Sequence, residues 1–336
     1  MTPHHRNVRR GRANRRRCAI GGIGAVVWLA TLASAGAVAQ DADASRGGLP
    51  LALPTDTRAL GLADAAAAST ANEWATFTAP SQLAVVRRAT AGLATEGYLA
   101  STRLSAAAIA VPLSRGALGI GVTVLDYGTI QEIAGSTPGT DGIETGRQYS
   151  AQDNAIVFGY GVRLSGRVRA GATAEFVSTR LADLSGRGLS FSFGFSGSPS
   201  PGWDLAGSVQ HLGADVALGA TRGALPTTVR FAASAPAQPV GHLAVRPMIE
   251  VRTVRGAGNA AAVAAEAVWD GNRGVVLMMR GGYTLRSGPR NDRAPESIGV
   301  GAALGSFTLD YAVERFPTID QVTHRIGLRV ARSAGR

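Results

Sequence analysis

Nucleophilic or metal chemistry needs a histidine within reach of a partner. Beyond residue 40 this chain has three: His211, His242 and His324. They lie far apart in sequence with no spacing such as H-x-x-x-H, so no metal site is expected. Serines are plentiful, but no G-x-S-x-G elbow sets one against a base. Gly119-Ile120-Gly121 and Gly299-Val300-Gly301 fall inside extended runs, not at the strand-to-helix turns where glycines cradle phosphate. A single cysteine, Cys18, excludes disulfide scaffolds and cysteine-held metals. The expectation is a non-enzyme with no catalytic, metal or cofactor-binding residues and no cofactor. What remains with chemistry is charge: Glu96, Arg163, Arg167, Arg169, Glu175, Arg230, Arg246, Glu250, Arg252, Glu266, Arg280, Asp310, Glu314, Arg325 and Arg329. These can pair with one another around a plug or line a polar pathway for a solute.

The elements that must position those charges show in the alternation of polar and apolar residues. In 242–254, Leu243, Val245, Pro247, Ile249 and Val251 alternate with Arg246, Met248, Glu250 and Arg252. In 167–180, Val168, Ala170, Ala172, Ala174 and Phe176 alternate with Arg167, Arg169, Thr173 and Glu175. The run 189–196 places Leu189, Phe191, Phe193 and Phe195 opposite Ser190, Ser192, Gly194 and Ser196. In 307–316, Phe307, Leu309, Tyr311 and Val313 alternate with Thr308, Asp310 and Glu314. Period two means one polar and one apolar face per strand. A soluble sandwich alternates as well, but with strands of about 5–6 residues. The runs here are long enough to cross a hydrocarbon layer, which takes about 9–11 tilted residues. The charged faces suit a wet barrel interior and the apolar faces suit lipid.

Fourteen such strands are predicted: 92–100, 103–113, 116–126, 154–164, 167–180, 188–196, 202–212, 226–234, 241–254, 260–270, 274–285, 295–304, 306–316 and 321–331. Short turns alternate with longer links, the longest being the polar, Gly-rich 127–153, expected as a loop outside the membrane. By the same alternation His211 and His324 belong to the apolar side, and His242 opens a strand near a turn. Trp203, Trp269, Tyr283 and Phe316 lie near strand ends and are expected as outward aromatic girdles. The fold class is therefore all-β: a transmembrane, antiparallel, up-and-down β-barrel over 92–331, with a short tail at 332–336.

Composition places the rest. All 34 cationic residues are arginine and the formal charge is +11, but seven arginines precede residue 18. Without those seven the balance is +4, so no nucleic-acid partner is implied. The basic start, the apolar run Ala19–Ala35 and Ala37-Val38-Ala39 read as a signal peptide, 1–39, cleaved at Ala39–Gln40. An uncleaved membrane anchor is the alternative. Residues 40–91 lack alternation and carry an Ala-rich run, Ala63–Ala71, with helical propensity. They are expected to form a small helical or irregular N-terminal plug, the alternative being a flexible leader. Leu62, Trp74 and Phe77 are its candidate ligand contacts.

Three stretches resemble the PorV/PorQ family of FadL-like outer-membrane barrels. Thr57-Arg58-Ala59-Leu60-Gly61-Leu62, the Ala-rich run and Ala79-Pro80-Ser81-Gln82-Leu83 resemble the family's opening. Tyr149-Ser150-Ala151-Gln152-Asp153 leads into an aromatic strand and a Gly-rich hairpin, and Gln210-His211-Leu212-Gly213 precedes Leu225-Pro226 in the family's order. Ala79, Gln82 and Leu62 depart from the family's Asn, Gly and Met, and the chain ends Ser333-Ala334-Gly335-Arg336 without a terminal aromatic. The resemblance implies a FadL-like barrel in the bacterial outer membrane, surrounded by outer-membrane lipid. It implies a part in protein secretion or surface presentation of the type IX kind, with secreted client proteins or secretion components as partners. The alternative is FadL-like transport of long-chain fatty acids or other hydrophobic compounds, with a hydrophobic small molecule as partner. A structural barrel with no transport role is a third possibility.

Overall fold

A computed structural model describes residues 47–135, 142–271, 274–287 and 293–332. The expected signal peptide 1–39, its Ala39–Gln40 cleavage point and tail residues 333–336 lie outside the described residues.

Fourteen antiparallel strands close into a barrel. They are β1 Thr90–Gly97, β2 Arg103–Pro112, β3 Gly116–Ala134, β4 Ile143–Arg163, β5 Val168–Leu181, β6 Leu184–Gly197 and β7 Asp204–Gly213, followed by β8 Thr228–Ser234, β9 Leu243–Val254, β10 Gly258–Asp270, β11 Val275–Ser287, β12 Glu296–Leu304, β13 Phe307–Phe316 and β14 Gln321–Ala331. Each pairs with its neighbours in sequence, and β14 closes on β1 with Leu93 opposite Leu328 and Glu96 opposite Arg325. Closure leaves no open edge along the wall, the condition for a sheet to sit in lipid where water cannot satisfy N–H and C=O groups. The alternation has the expected sense. Phe191, Phe193 and Phe195 stand on the outer wall, and Ser190, Ser192 and Ser196 are buried within.

Three features depart from the sequence expectation. The described residues of 127–153 are mostly strand, not loop: β3 runs to Ala134 and β4 begins at Ile143, pairing past the ends of β2 and β5 as a projecting hairpin. Thr129, Ile130, Ile133 and Tyr149 favour extended backbone, and register shifts after Asp126 and Gln131 absorb the polar interruptions. The link 181–187 shrinks to a tight turn at Ala182-Asp183, with Ala182 at φ 51°. The link 213–225 carries a small hairpin, Val216–Leu218 paired with Thr221–Gly223.

Residues 47–89 run through the lumen from one end to the other. At the loop end the Gly47 amide donates to the Ala224 carbonyl at 3.0 Å. At the turn end the Arg163 guanidinium donates to the Ala84 carbonyl at 3.1 Å. Three short helices, Leu49–Ala52, Thr57–Gly61 and Ala75–Thr78, and a 3-10 turn, Pro80–Val85, carry this segment. The Asp56 side chain caps the second by accepting the Arg58 amide at 2.9 Å. The Ala-rich run is not helical. Residues 62–69 form successive turns, with Ala63 at φ 53° and Asp64 at φ 65°. Alanine serves here as a small residue against the wall more than as a helix former. A Cβ on Gly282 of β11 would lie 2.7 Å from the Ala63 methyl. On the opposite wall, a Cβ on Gly171 of β5 would lie 2.3 Å from the Pro80 carbonyl. The excess glycine thus lets plug backbone lie directly on wall backbone.

Candidate functional site: the plug, its ion-pair lattice and a lumen cavity

Arginines and carboxylates of the inner wall meet the plug in several clusters. In the first, Glu266 on β10 accepts Arg58 of the plug through Nε at 2.9 Å and NH2 at 2.7 Å. It also accepts Arg280 Nε of β11 at 2.7 Å, and Arg280 reaches Asp310 of β13 at 2.5 Å. In the second, Glu250 on β9 pairs with Arg230 of β8 at 2.8 Å and Arg252 at 3.2 Å. Asp64 of the plug lies 3.6 Å and 3.5 Å from the same two arginines. Burial would raise the Asp64 carboxyl, but Arg230 and Arg252 outweigh it and hold the group below the usual carboxylate range. In the third, Arg325 of β14 pairs with Glu96 of β1 and donates to the Pro54 carbonyl of the plug. Nearby, Glu314 of β13 pairs with Arg293 at 2.8 Å.

The fourth cluster centres on Glu175 of β5. Its Oε1 accepts the hydroxyls of Thr173 at 2.9 Å and Ser192 at 2.5 Å. Its Oε2 accepts the Ser190 hydroxyl at 2.5 Å and faces His211 Nδ1 at 2.8 Å. His211 was expected on the apolar side and is instead inside, 5% exposed. The β6–β7 register shifts between Phe191 and Phe193, so Gln210 and His211 both turn inward before Leu212 faces out again. The cost is a non-glycine residue at φ 59°. Two polar residues between the apolar Val209 and Leu212 break the period of two, and that break was the available signal.

The remaining predicted charges divide by place. Arg169 pairs with Asp204 at 2.9 Å near the turn end. Arg163 and Arg167 are exposed at that end and donate to backbone carbonyls, Arg167 to Pro199 at 3.4 Å, so they stand apart from the lumen lattice. They sit where their strands meet the turns, beyond reach of the wall carboxylates. Arg246 is half-buried and makes no ion pair among the described residues. Arg329 reaches the Thr308 hydroxyl at 3.3 Å. The plug partners Arg58 and Asp64 were not anticipated, because their segment has no strand period to assign them a side.

A cavity of about 90 Å³ lies between the loop-side stretch of the plug and the wall. Leu51, Leu53, Phe77, Val157 and Val254 supply apolar lining, and His211, Glu175, Asp64 and the arginines supply a polar side. Phe77 stacks on Trp74 with centroids 6.1 Å apart, and Trp74 packs on Ala94, Ala106 and Ala108 of the wall. Leu62 is elsewhere, packed with Ala59, Ala66 and Met248, so the three candidate contacts do not share one pocket. Of the expected girdle, Trp269 and Tyr283 are exposed on the outer wall. Phe316 is inside, edge-on to Tyr98 at 5.9 Å and beneath the Arg293 guanidinium. It shares the parity of Glu314, so alternation places it inward. His324 faces outward and bonds the Tyr311 hydroxyl at 2.7 Å.

No family model matches this chain, and no curated protein matches it in sequence. Solved structures do match in shape. The Ralstonia pickettii toluene transporter TbuX superposes with a TM-score of 0.54 at 12% identity, covering 82% of this chain and 99% of that one. The P. putida toluene transporter TodX gives 0.54 at 9%, covering 79% and 95%. A Pseudomonas aeruginosa FadL homologue gives 0.53 at 10%, covering 83% and 98%. The shared feature is the fold, an antiparallel fourteen-stranded FadL-like barrel with short helices at its N-terminus.

Proposed function

We propose that this chain is a non-enzymatic, FadL-like conduit that takes small hydrophobic compounds across the bacterial outer membrane. The carrying observation is the lumen cavity, where Phe77, braced by Trp74, meets Leu51, Leu53 and Val157 inside an otherwise charged barrel. The cavity's lining is mixed, and its apolar side is the part that a hydrophobic solute can use. The shape likeness to crystallised toluene transporters supports the reading. The non-enzymatic part draws on the same likeness, since the proteins of this shape are described as transporters. The surrounding partner is outer-membrane lipid. The domain reading stands with this: a leader 1–39 removed at Ala39–Gln40, a plug over 40–91, a barrel over 92–331 and a short tail, 332–336. Uptake of radiolabelled toluene by cells with and without the gene tests the reading. Uptake should fall on deletion, and an unchanged rate rejects it.

A second reading, secretion of the PorV/PorQ kind, draws support from the β3–β4 hairpin. It projects beyond its neighbours, with Ile133 and Ile143 exposed and two strand edges unpaired. Such edges suit an extended segment of a client protein. Under this reading, deletion strands C-terminally tagged cargo in the periplasm, and normal surface display counts against it.

A further inference from the structure

The plug lattice accounts for the inward charges, but a second set of arginines stands outside it. Arg87 and Arg88 precede β1, Arg115 lies between β2 and β3, and Arg332 follows β14. All four are exposed, and none makes a side-chain hydrogen bond or ion pair among the described residues. They are neighbours at the turn end of the barrel. The Arg332 amide donates to the Ala89 carbonyl at 2.8 Å, and the Arg163 amide donates to the Arg115 carbonyl at 2.9 Å. The Arg163 side chain reaches the Ala84 carbonyl at 3.1 Å and ties the two groups together. The connecting stretches 86–89, 113–115 and 164–167 contain no acidic residue. Asp204, at the foot of β7, is committed to Arg169. Like charges gathered without a counter-charge repel one another, so the patch favours an anion. Its depth is marked by apolar neighbours. Leu113 stands two residues from Arg115, Leu164 one from Arg163 and Val330 two from Arg332, all exposed on the outer wall. The lipid-facing surface therefore ends at these arginines, where hydrocarbon gives way to headgroups.

A second observation lies on the same strands. The outer wall of β14, β1, β2 and β3 carries an apolar dent of about 420 Å³. Thr95, Ser105 and Ala107 form its floor, and Leu93, Val122 and Leu328 rise around it. The floor hydroxyls face each other at 3.3 Å, so the dent offers no unpaired polar group. Ala107 lies six residues from Leu113, and Leu93 four from Ala89. At ~3.4 Å per residue that is roughly 13–20 Å along the strands. One leaflet of chains is about 15 Å deep, half of the hydrocarbon core. We propose that this sector is a binding site for one anionic glycerophospholipid. Its phosphate meets Arg88, Arg115 and Arg332 at the turn end, and one acyl chain lies in the dent. Guanidinium groups suit phosphate because they can donate two parallel hydrogen bonds. The inference is independent of what passes through the lumen.

The test is native mass spectrometry of the full barrel released from nanodiscs made of equal parts phosphatidylglycerol and phosphatidylcholine with the same chains. Phosphatidylglycerol should be retained over phosphatidylcholine by roughly fivefold for each arginine engaged. Arg88→Gln with Arg115→Gln should bring the two lipids within about twofold of each other. These side chains hold nothing else among the described residues, so the unfolding midpoint should not move. Arg163 is left unchanged because it holds the plug. Ala107→Leu fills the floor of the dent and should lower retention of both lipids by roughly fourfold, the worth of about one buried methylene. Equal retention of the two lipids by the unsubstituted protein overturns the proposal, as does a preference that survives the double substitution. Retention untouched by Ala107→Leu overturns the acyl-chain placement. Binding of polyglutamate with no lipid retained overturns the proposal in favour of an acidic protein segment. Toluene uptake by cells reports separately on the conduit.

Discussion

Arg325 is among the largest fully buried side chains of the barrel, and its partner Glu96 is as deeply buried. A pair so placed is costly to break from one side, because the survivor keeps its desolvation penalty without its partner. Arg325→Ala should destabilise the barrel by about 3–5 kcal/mol, read as a lower urea midpoint in detergent. The double change Glu96→Met with Arg325→Met should recover most of that loss. Glu73 of the plug is the opposite case. It is fully buried, and neither carboxylate oxygen finds a donor among the described residues. Thr90 faces it without closing a hydrogen bond. Burial therefore raises its pKa above the ordinary 4.5. The folded state then holds this proton to higher pH than the unfolded chain does. Stability from this group is fully present below pH 4.5 and is lost as pH rises through the raised folded value. Glu73→Gln should remove that loss, so the variant should be the more stable protein at pH 7. An equal or lower unfolding midpoint there contradicts the assignment.

Two elements separate the plug from the decoration. The 3-10 turn Pro80–Val85 lies directly on the wall at Gly171, where the nearest atoms to an added Cβ are backbone and cannot swing aside. Gly171→Ala should therefore cost about 1–3 kcal/mol as overpacking and loosen the turn end of the plug, read as faster proteolysis within 80–86. The projecting part of the β3–β4 hairpin pairs with neither β2 nor β5. Replacing 129–149 by a short turn should leave the barrel's unfolding midpoint within about 0.5 kcal/mol. A large loss would mean that the hairpin folds back onto the barrel.

At the scale of the molecule, membrane embedding has its own signature. Val300 of β12 is on the outer wall, with Gly299 beside it facing the plug backbone at Gly61. Val300→Arg places a charge in the hydrocarbon band and should cost about 2–4 kcal/mol, measured by refolding into bilayers. Ile133→Arg, on the projecting hairpin, should cost almost nothing. Equal costs would place the band wrongly. All of this assigns the arginine excess of the barrel to structure: beyond the basic start, most inward arginines have a carboxylate or carbonyl partner in the lumen or at the turns.

The strands were legible in the sequence because a wall one residue thick has only two sides. Lipid and lumen impose opposite chemistries on them, so Phe191, Phe193 and Phe195 and the charges opposite such residues declare their faces by parity alone. The number of strands followed from the same rule, and so did the inward side of Glu175, Glu250 and Asp310. Parity fails where the chain adds a residue or leaves the strand. His211 changes sides through one bulge, Ala63–Ala71 gives up helix for turns that fit the wall glycines, and the described parts of 127–153, up to Ala134 and from Ile143, continue as sheet. The partners of the wall charges were likewise beyond the sequence. Arg58 meets Glu266 across 208 positions, and only closure of the barrel around its own N-terminal segment brings such groups within reach of a hydrogen bond.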